Sequence, residues 1–199
     1  MVTSGSRRTE LDVKGAKEFD NKGLTYCASC DGPLFSGMDV AVVGGGNAGF
    51  DTATQLLAYC SSVTLIDSAG FRADPSTIEK TKANQKFKCM DNTEILEITG
   101  DKFVNAIAYK DKNGKRVDLP VKGIFVEIGS IPNTDFIKTL VEVDKRNHIV
   151  VNPKNQTASV EGIWAAGDVT DGLYHQNNIA AGDAVKALED IYLWVHKNN

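Results

Sequence analysis

The stretch Val40-Ala41-Val42-Val43-Gly44-Gly45-Gly46-Asn47-Ala48-Gly49 decides the fold of this chain. Asp39 to Val43 is a short β-branched run that stops at three glycines, and Ala48 to Tyr59 then carries apolar residues at helical spacing through Phe50, Ala53, Leu56 and Leu57. Strand, glycine turn and helix follow in that order. A second apolar run, Val63 to Ile66, ends at Asp67, so the economical reading of the segment is a right-handed βαβ unit.

The glycines satisfy G-x-G-x-x-G, a pattern that is weak alone. It gains force from a strand before it, a helix after it and an acid eighteen residues past the last glycine. Gly44 permits the tight turn, Gly46 lets backbone amides approach a pyrophosphate, and Gly49 lets helix and strand pack closely, while the helix N-terminus adds a partial positive charge. The cofactor-binding candidates in this region are Gly44, Gly45, Gly46, Asn47, Ala48, Gly49, Asp67, Ser68 and Arg72. A carboxylate at the end of the second strand accepts from a ribose 2′-OH and repels a 2′-phosphate, so Asp67 predicts NADH over NADPH. Arg72 softens that preference unless it is a solvated surface arginine. The bland alternative for the whole motif is a glycine-rich turn without a ligand.

Downstream, Glu94 to Ile98, Val104 to Lys110 and Arg116 to Pro120 read as antiparallel strands joined at Gly100-Asp101 and Asn113-Gly114, a meander of the kind that covers one face of a parallel sheet. Gly123 to Ile128 is a buried strand. Gly129-Ser130-Ile131-Pro132-Asn133 is too rich in breakers to continue any element and reads as a domain crossing. His148 to Val151 and Gly162 to Ala166 predict two further strands, and Ile179 to Val195 a closing helix with Ala184, Leu188, Ile191 and Val195 on its apolar stripe.

Upstream of the glycine motif stands Cys27-Ala28-Ser29-Cys30-Asp31. Two thiols at this spacing can close a small reversible disulfide, and an adjacent carboxylate can shuttle the proton that thiol exchange requires. The competing reading is half of a zinc site, which needs two more ligands. Cys60 and Cys89 stand alone, and His148, His175 and His196 form no metal spacing, so no metal site is expected. Cys60, on the helix, and Cys89, on a strand, read as buried small hydrophobes. A third segment, Gly162-Ile163-Trp164-Ala165-Ala166-Gly167-Asp168, ends a strand in Gly-Asp. Its carboxylate suits a sugar or ribityl hydroxyl, and the reading as an ordinary strand-turn-helix corner stands beside it.

Composition bounds the rest. The 199 residues suffice for one or two domains, and 42% hydrophobic with 24% charged residues fits neither disorder nor a fibre. Lys plus Arg at 22 against Asp plus Glu at 26 gives a net charge of −4 without a basic run, which argues against nucleic acid or an anionic membrane as partner. Apolar runs fall far short of the roughly 18 residues that span a bilayer. Met1 to Leu11 has no apolar core of a secretory signal, so the expectation is a cytoplasmic chain with reduced thiols, in which a disulfide is catalytic rather than structural.

Three segments carry a resemblance: Tyr26-Cys27-Ala28-Ser29-Cys30-Asp31-Gly32-Pro33-Leu34-Phe35, the run Val40 to Asn47, and Trp164-Ala165-Ala166-Gly167-Asp168-Val169. In order and spacing the chain resembles the low-molecular-weight thioredoxin reductases, and the related flavoprotein subunit of alkyl hydroperoxide reductase, over essentially its whole length. Asp67 is more similar to the latter than to the basic His-Arg-Arg pattern of NADPH-using thioredoxin reductases. The resemblance implies a thioredoxin-disulfide reductase-like oxidoreductase. In such enzymes NAD(P)H reduces FAD, FAD reduces the C-x-x-C disulfide, and the dithiol reduces a thioredoxin-like or glutaredoxin-like protein. It implies that Cys30 faces the flavin, Cys27 attacks the partner and Asp31 is the acid/base. Gly167 and Asp168 would hold the ribityl chain, and Gln176, Ile179 and Ala180 would approach the isoalloxazine. The family is homodimeric and rotates its nucleotide domain about two crossings, which match the regions near Lys22 and Gly129 to Asn133, with Gly129 a further cofactor contact.

The implied fold class is α/β: a Rossmann-like three-layer nucleotide-binding domain with a β-meander, plus the C-terminal half of a second FAD/NAD(P)-type domain. Thr3-Ser4-Gly5 is similar to the Ala-Thr-Gly that ends the family's first, FAD-binding βαβ unit. Residues 1–21 are then a remnant of the FAD domain, 22–129 the NAD(P)-binding domain carrying C-x-x-C, and 130–199 the C-terminal part of the FAD domain. A chain lacking that unit is expected to hold FAD weakly or not at all. The competing expectation is a truncated, non-catalytic nucleotide-binding module without flavin.

Overall fold

The computed structural model describes residues 1–198. Along the chain run β1 (Ser6–Arg8), β2 (Leu24–Thr25), α1 (Ala28–Asp31) with a 3-10 turn over Gly32–Phe35, β3 (Asp39–Val43), α2 (Asn47–Leu56) and β4 (Ser62–Ile66). Then come α3 (Pro75–Lys82), β5 (Phe87–Met90), β6 (Ile95–Gly100), β7 (Val104–Lys110), β8 (Arg116–Pro120), β9 (Gly123–Val126), β10 (Ser130–Pro132) and α4 (Asn177–Asn198). The chain divides into two compact units, one of Glu10–Ile128 and one of Met1–Thr9 with Gly129–Asn199.

The larger unit is built on a parallel sheet of order β2-β9-β3-β4-β5. Successive side chains of a strand point to opposite faces, and both faces here are covered, which is why β3, β4 and β9 read as continuous apolar runs rather than alternating ones. Val40, Val42, Val63, Leu65 and Phe125 meet Phe50, Ala53 and Leu56 of α2 on one face. Ala41, Val43, Ile66 and Ile124 meet Ile98, Val104 and Ile107 of the antiparallel β6-β7-β8 meander on the other. Helices, parallel sheet and meander form three layers, the Rossmann-like α/β arrangement.

Several expectations are corrected. The larger unit begins at Glu10 rather than at residue 22, because Ala16 and Phe19 are buried among Leu24, Ile98 and Val104, so residues 10–21 pack with the sheet. Cys60 follows α2 instead of riding on it: the amide of Cys60 donates to the Leu56 carbonyl, and the amide of Gly37 captures the carbonyl of Tyr59, closing the helix early. The crossing after Gly129 does continue into structure. Gly129 turns at φ +95°, and β10 then pairs antiparallel with β1.

In the smaller unit, His148 to Val151 and Gly162 to Ala166 form isolated bridges instead of ladders. Ile149 bridges both Val143 and Thr170, Trp164 bridges Thr157 and Ala165 bridges Val2, so pairing changes partner from residue to residue. The closing helix is rotated from its expected stripe. Ala187 is fully buried while Leu188 and Val195 are exposed, because Asp183 accepts from Gln156 Nε2 (3.0 Å) and Asp190 from Trp164 Nε1 (2.8 Å). These polar anchors, with Trp194 edge-on to Trp164 at 5.7 Å, select the packed face.

Candidate active site

Two constellations lie in the larger unit. The first is the turn between β3 and α2. Gly44, at φ +130°, sits against the backbone of Glu127 so closely that a Cβ would overlap it, and a Cβ on Gly49 would overlap the Gly44 carbonyl. Strand and helix therefore meet only through glycine. Nothing lies within 4 Å of where a Cβ would stand on Gly46, which caps the N-terminus of α2, so backbone amides there are open to approach. That combination of tight glycines behind and an open glycine at a helix start fits a pyrophosphate.

Asp67, 5% exposed, stands at the carboxyl end of β4 beside this turn. Its Oδ2 accepts from the Gly45 amide (2.7 Å) and its Oδ1 from the Ala69 amide (2.8 Å). Arg72 donates to both oxygens at 3.2 and 3.3 Å. Arg72 is thus an exposed arginine, its side chain 57% accessible, that is paired with Asp67 and reaches a 2′-phosphate only by leaving it. Ser68 is exposed beside them, Asn47 and Ala48 are exposed on the first turn of α2, and Asn47 Oδ1 accepts from the Asp74 amide (2.8 Å), tying α2 to the start of α3.

The second constellation is the disulfide Cys27–Cys30, with Cα atoms 5.3 Å apart. Cys27 is the N-cap of α1, and its Sγ accepts from the Cys30 amide (3.1 Å). Cys27 is half-buried and Cys30 exposed. The Thr25 hydroxyl, at the carboxyl end of β2, donates to Asp31 Oδ2, fixing the carboxylate that follows the second cysteine. Asp31 also lines a largely apolar groove of about 790 Å³ with Thr25, Leu34, Phe35, Phe103 and Lys122. Among the described residues no group of three or more His, Cys, Asp or Glu side chains stands where it could hold a metal.

In the smaller unit, Gly167 turns at φ +78° against Ala180, and Asp168 Oδ2 accepts from the Ser6 hydroxyl (3.4 Å). Gln176 and Ile179 are exposed at the start of α4, where the Gln176 carbonyl accepts from the Ala180 amide (2.9 Å). Gly129 is exposed, its carbonyl accepting from the Thr9 amide (2.9 Å). A half-buried carboxylate behind a glycine turn, with Ala180 close by, fits a polyol chain.

Sequence reasoning missed Thr25, Thr52, Ser6 and Glu127. Glu127 had a readable signal: like Asp67 it is the acid that ends an apolar strand. Thr25 and Ser6 had none, since their roles depend on contacts across loops.

Comparison with known proteins agrees with this geometry. Residues 1–184 match the family described as pyridine nucleotide-disulphide oxidoreductase. The chain is 37% identical over its full length to a protein of Bacillus subtilis named NADH dehydrogenase, covering 39% of that protein. It is 39% identical, over 94% of its length, to an alkyl hydroperoxide reductase subunit of Pseudomonas putida, covering 36% of it. The chain therefore spans less than two fifths of these relatives. Among solved structures it superposes on the thioredoxin reductase of Lactococcus lactis with a TM-score of 0.84 at 28% identity, covering 98% of this chain and 65% of that one. The T. acidophilum thioredoxin reductase gives 0.81 at 37% identity, with 96% and 63% covered. The low-molecular-weight thioredoxin reductase resemblance and the two-domain FAD/NAD(P) fold class both stand, and the chain belongs to the pyridine nucleotide-disulphide oxidoreductase family.

Proposed function

We propose that this chain carries electrons originating from NADH to its Cys27–Cys30 disulfide and from the dithiol to the disulfide of a thioredoxin-like protein. The observation that carries the reading is the presence, in one compact unit, of a closed C-x-x-C disulfide with its own tethered carboxylate and a dinucleotide-type turn with an acid at the second strand. A flavin, when bound, supplies the two-electron relay between nicotinamide and disulfide, and Gly167 and Asp168 are the residues that would hold its ribityl chain.

In the exchange half, reduced Cys27 attacks one sulfur of the partner disulfide as a thiolate, and the partner's other sulfur leaves. Cys30 then gives up its proton and attacks Cys27 Sγ, re-forming the Cys27–Cys30 bond and releasing the second partner thiol. Two electrons and two protons pass to the partner. The assignment of Cys27 as nucleophile is supported by the Cys30 amide donating to its sulfur, which favours the thiolate. We assign Asp31 to carry the Cys30 proton, supported by its tether to Thr25. The groove that Asp31 lines is assigned to the partner, because it is continuous with the redox carboxylate and because Leu34 and Phe103 stand 71% and 63% exposed at it.

The test separates the halves. The chain is reduced with a small thiol, desalted and mixed with an oxidised thioredoxin-like protein, while NADH binding is followed by calorimetry. The reading requires stoichiometric transfer of two thiols and saturable NADH binding. NADH binding with an inert Cys27–Cys30 pair would instead make the chain a nucleotide-binding module.

A further inference from the structure

The parallel sheet has its topological switch between β3 and β9: from β3 the chain steps to β4 and β5 on one side, and β9 returns on the other. In open α/β sheets a ligand lies in the crevice outside the carboxyl ends of the strands at such a point. Val43 of β3 is in register with Val126 of β9, so the next residues, Gly44 and Glu127, together form the floor of that crevice. The Glu127 amide donates to the Val43 carbonyl (2.7 Å), which locks its backbone against the glycine turn. Its side chain is equally fixed, since Oε1 accepts from the hydroxyl of Thr52, a buried residue of α2 (2.8 Å).

The direction of a bound dinucleotide follows from the other anchors. With the pyrophosphate on the amides at Gly46 and the adenine-side ribose at Asp67 over β4, the remaining half of the molecule must leave the turn on the opposite side, over the end of β9. We propose that Glu127, held by Thr52, is a binding residue for the nicotinamide nucleoside, accepting a hydrogen bond from its carboxamide or its ribose hydroxyls. This deepens the proposed function and rests on its placement of the dinucleotide. The two acids are then counterparts, each one residue past the end of a strand adjacent to β3, and each facing one nucleoside. The chemistry of the group agrees: burial pushes the Glu127 carboxyl up, partly offset by Thr52, as expected of an acceptor kept partly dry beside a ligand.

The experiment compares ADP, ADP-ribose and NADH on the 199-residue chain and on Glu127→Ala, Glu127→Gln and Thr52→Val. Loss of a charged hydrogen bond predicts about tenfold weaker NADH binding by Glu127→Ala. ADP, which has no nicotinamide nucleoside, should bind within about twofold of the parent chain, and Glu127→Gln should recover part of the loss because its carbonyl still accepts. Thr52→Val, which removes the tether and keeps the carboxyl, should fall between. A loss shared by ADP-ribose identifies the ribose hydroxyls as donors, and a loss confined to NADH identifies the carboxamide. Unchanged NADH binding by Glu127→Ala, or equal weakening of ADP and NADH, overturns the assignment. If the parent chain binds neither ADP nor NADH, it is the placement of the dinucleotide itself that fails.

Discussion

The backbone amide of Gly45 donates to Asp67 Oδ2 at 2.7 Å, so the acid at the end of the second strand holds the glycine turn that follows the first. A Cβ on Gly45 would stand 2.8 Å from the Asp67 carboxyl carbon, so the middle glycine, like Gly44 before it, serves a close approach. In the G-x-G-x-x-G pattern that position is free. Here it is not, because Asp67 occupies the space. In the proposed nucleotide site Asp67 would therefore act in two ways, through its own lone pairs and through the turn it braces.

Replacing Asp67 with Ala removes the acceptor for a ribose hydroxyl and the repulsion of a 2′-phosphate, and it frees Arg72. Each change favours NADPH relative to NADH. A charged hydrogen bond of about 1.5–3 kcal/mol sets the expected narrowing at roughly tenfold or more in the ratio of dissociation constants. Calorimetric titration of both nucleotides measures it, and a ratio equal to that of the parent chain would remove Asp67 as the selector.

Gly49→Ala tests the packing of helix on strand. The added methyl would overlap the Gly44 carbonyl, a backbone atom with little room to yield, so stability should fall by about 1–3 kcal/mol. Gly46→Ala, with nothing within 4 Å of the new carbon, should leave stability nearly unchanged and weaken nucleotide binding instead. Urea denaturation beside NADH titration separates the two; equal stability losses would show that the turn does not depend on the close approach of Gly44 and Gly49.

The nucleotide unit was largely legible because its signals are local. The apolar run into Gly44, the helical spacing through Phe50 and Leu56, and the Asn113-Gly114 turn each act within a few residues. α3 was not read from the sequence: Asp74-Pro75 puts a proline at the first helical position, but the helix exposes most of its surface and carries only a weak apolar stripe. The smaller unit was less legible. The rotation of α4 depends on Gln156 and Trp164 reaching Asp183 and Asp190, contacts 27 and 26 residues apart that no periodicity encodes. The same holds at the candidate site: Cys27, Cys30 and Asp31 are close neighbours in sequence, whereas the Thr52–Glu127 bond joins residues 75 apart.

Glu127 should also leave a mark on stability. Its folded-state carboxyl is raised, so the protonated form is favoured by folding, and the folded state loses stability as pH rises from the unfolded value toward the raised one. Glu127→Gln removes that cost. The variant should match the parent near about pH 3, where the acid is protonated in both the folded and the unfolded chain, and exceed it near about pH 7.5. Urea titrations at the two pH values give the comparison, and a difference independent of pH would show that the carboxyl does not titrate differently on folding.

The four cysteines should separate by reactivity. Burial pushes the Cys60 thiol up, with Lys86 acting in the opposite direction, and raises Cys89 as well. Both then carry less thiolate at neutral pH than an ordinary cysteine. After mild reduction, alkylation near neutral pH should modify Cys27 and Cys30 first, Cys89 more slowly, and Cys60, 1% exposed, only on unfolding. Mass spectrometry of a timed quench reads the order. Labelling of Cys60 as fast as Cys30 would contradict the burial, and labelling of Cys27 and Cys30 at equal rates before and after reduction would contradict the disulfide.

The groove beside Asp31 supplies the last test, because it distinguishes a protein substrate from thiol chemistry in general. Leu34 and Phe103 expose large apolar side chains at one surface, and Lys122 lies at the same groove. A partner that buries Leu34 gains on the order of 1–2 kcal/mol from it, whereas a small aromatic disulfide reacting at Cys27 needs little of that surface. Leu34→Asp should therefore slow reduction of a thioredoxin-like protein by roughly five- to thirtyfold at limiting concentration, mainly through weaker association, and Phe103→Ser by a similar factor. Reduction of the small disulfide by the same variants should stay within about twofold, since neither side chain bonds to Cys27, Cys30 or Asp31. If both substrates slow together, the substitutions have disturbed the disulfide and not a docking face. If neither slows, the partner approaches the dithiol from another side.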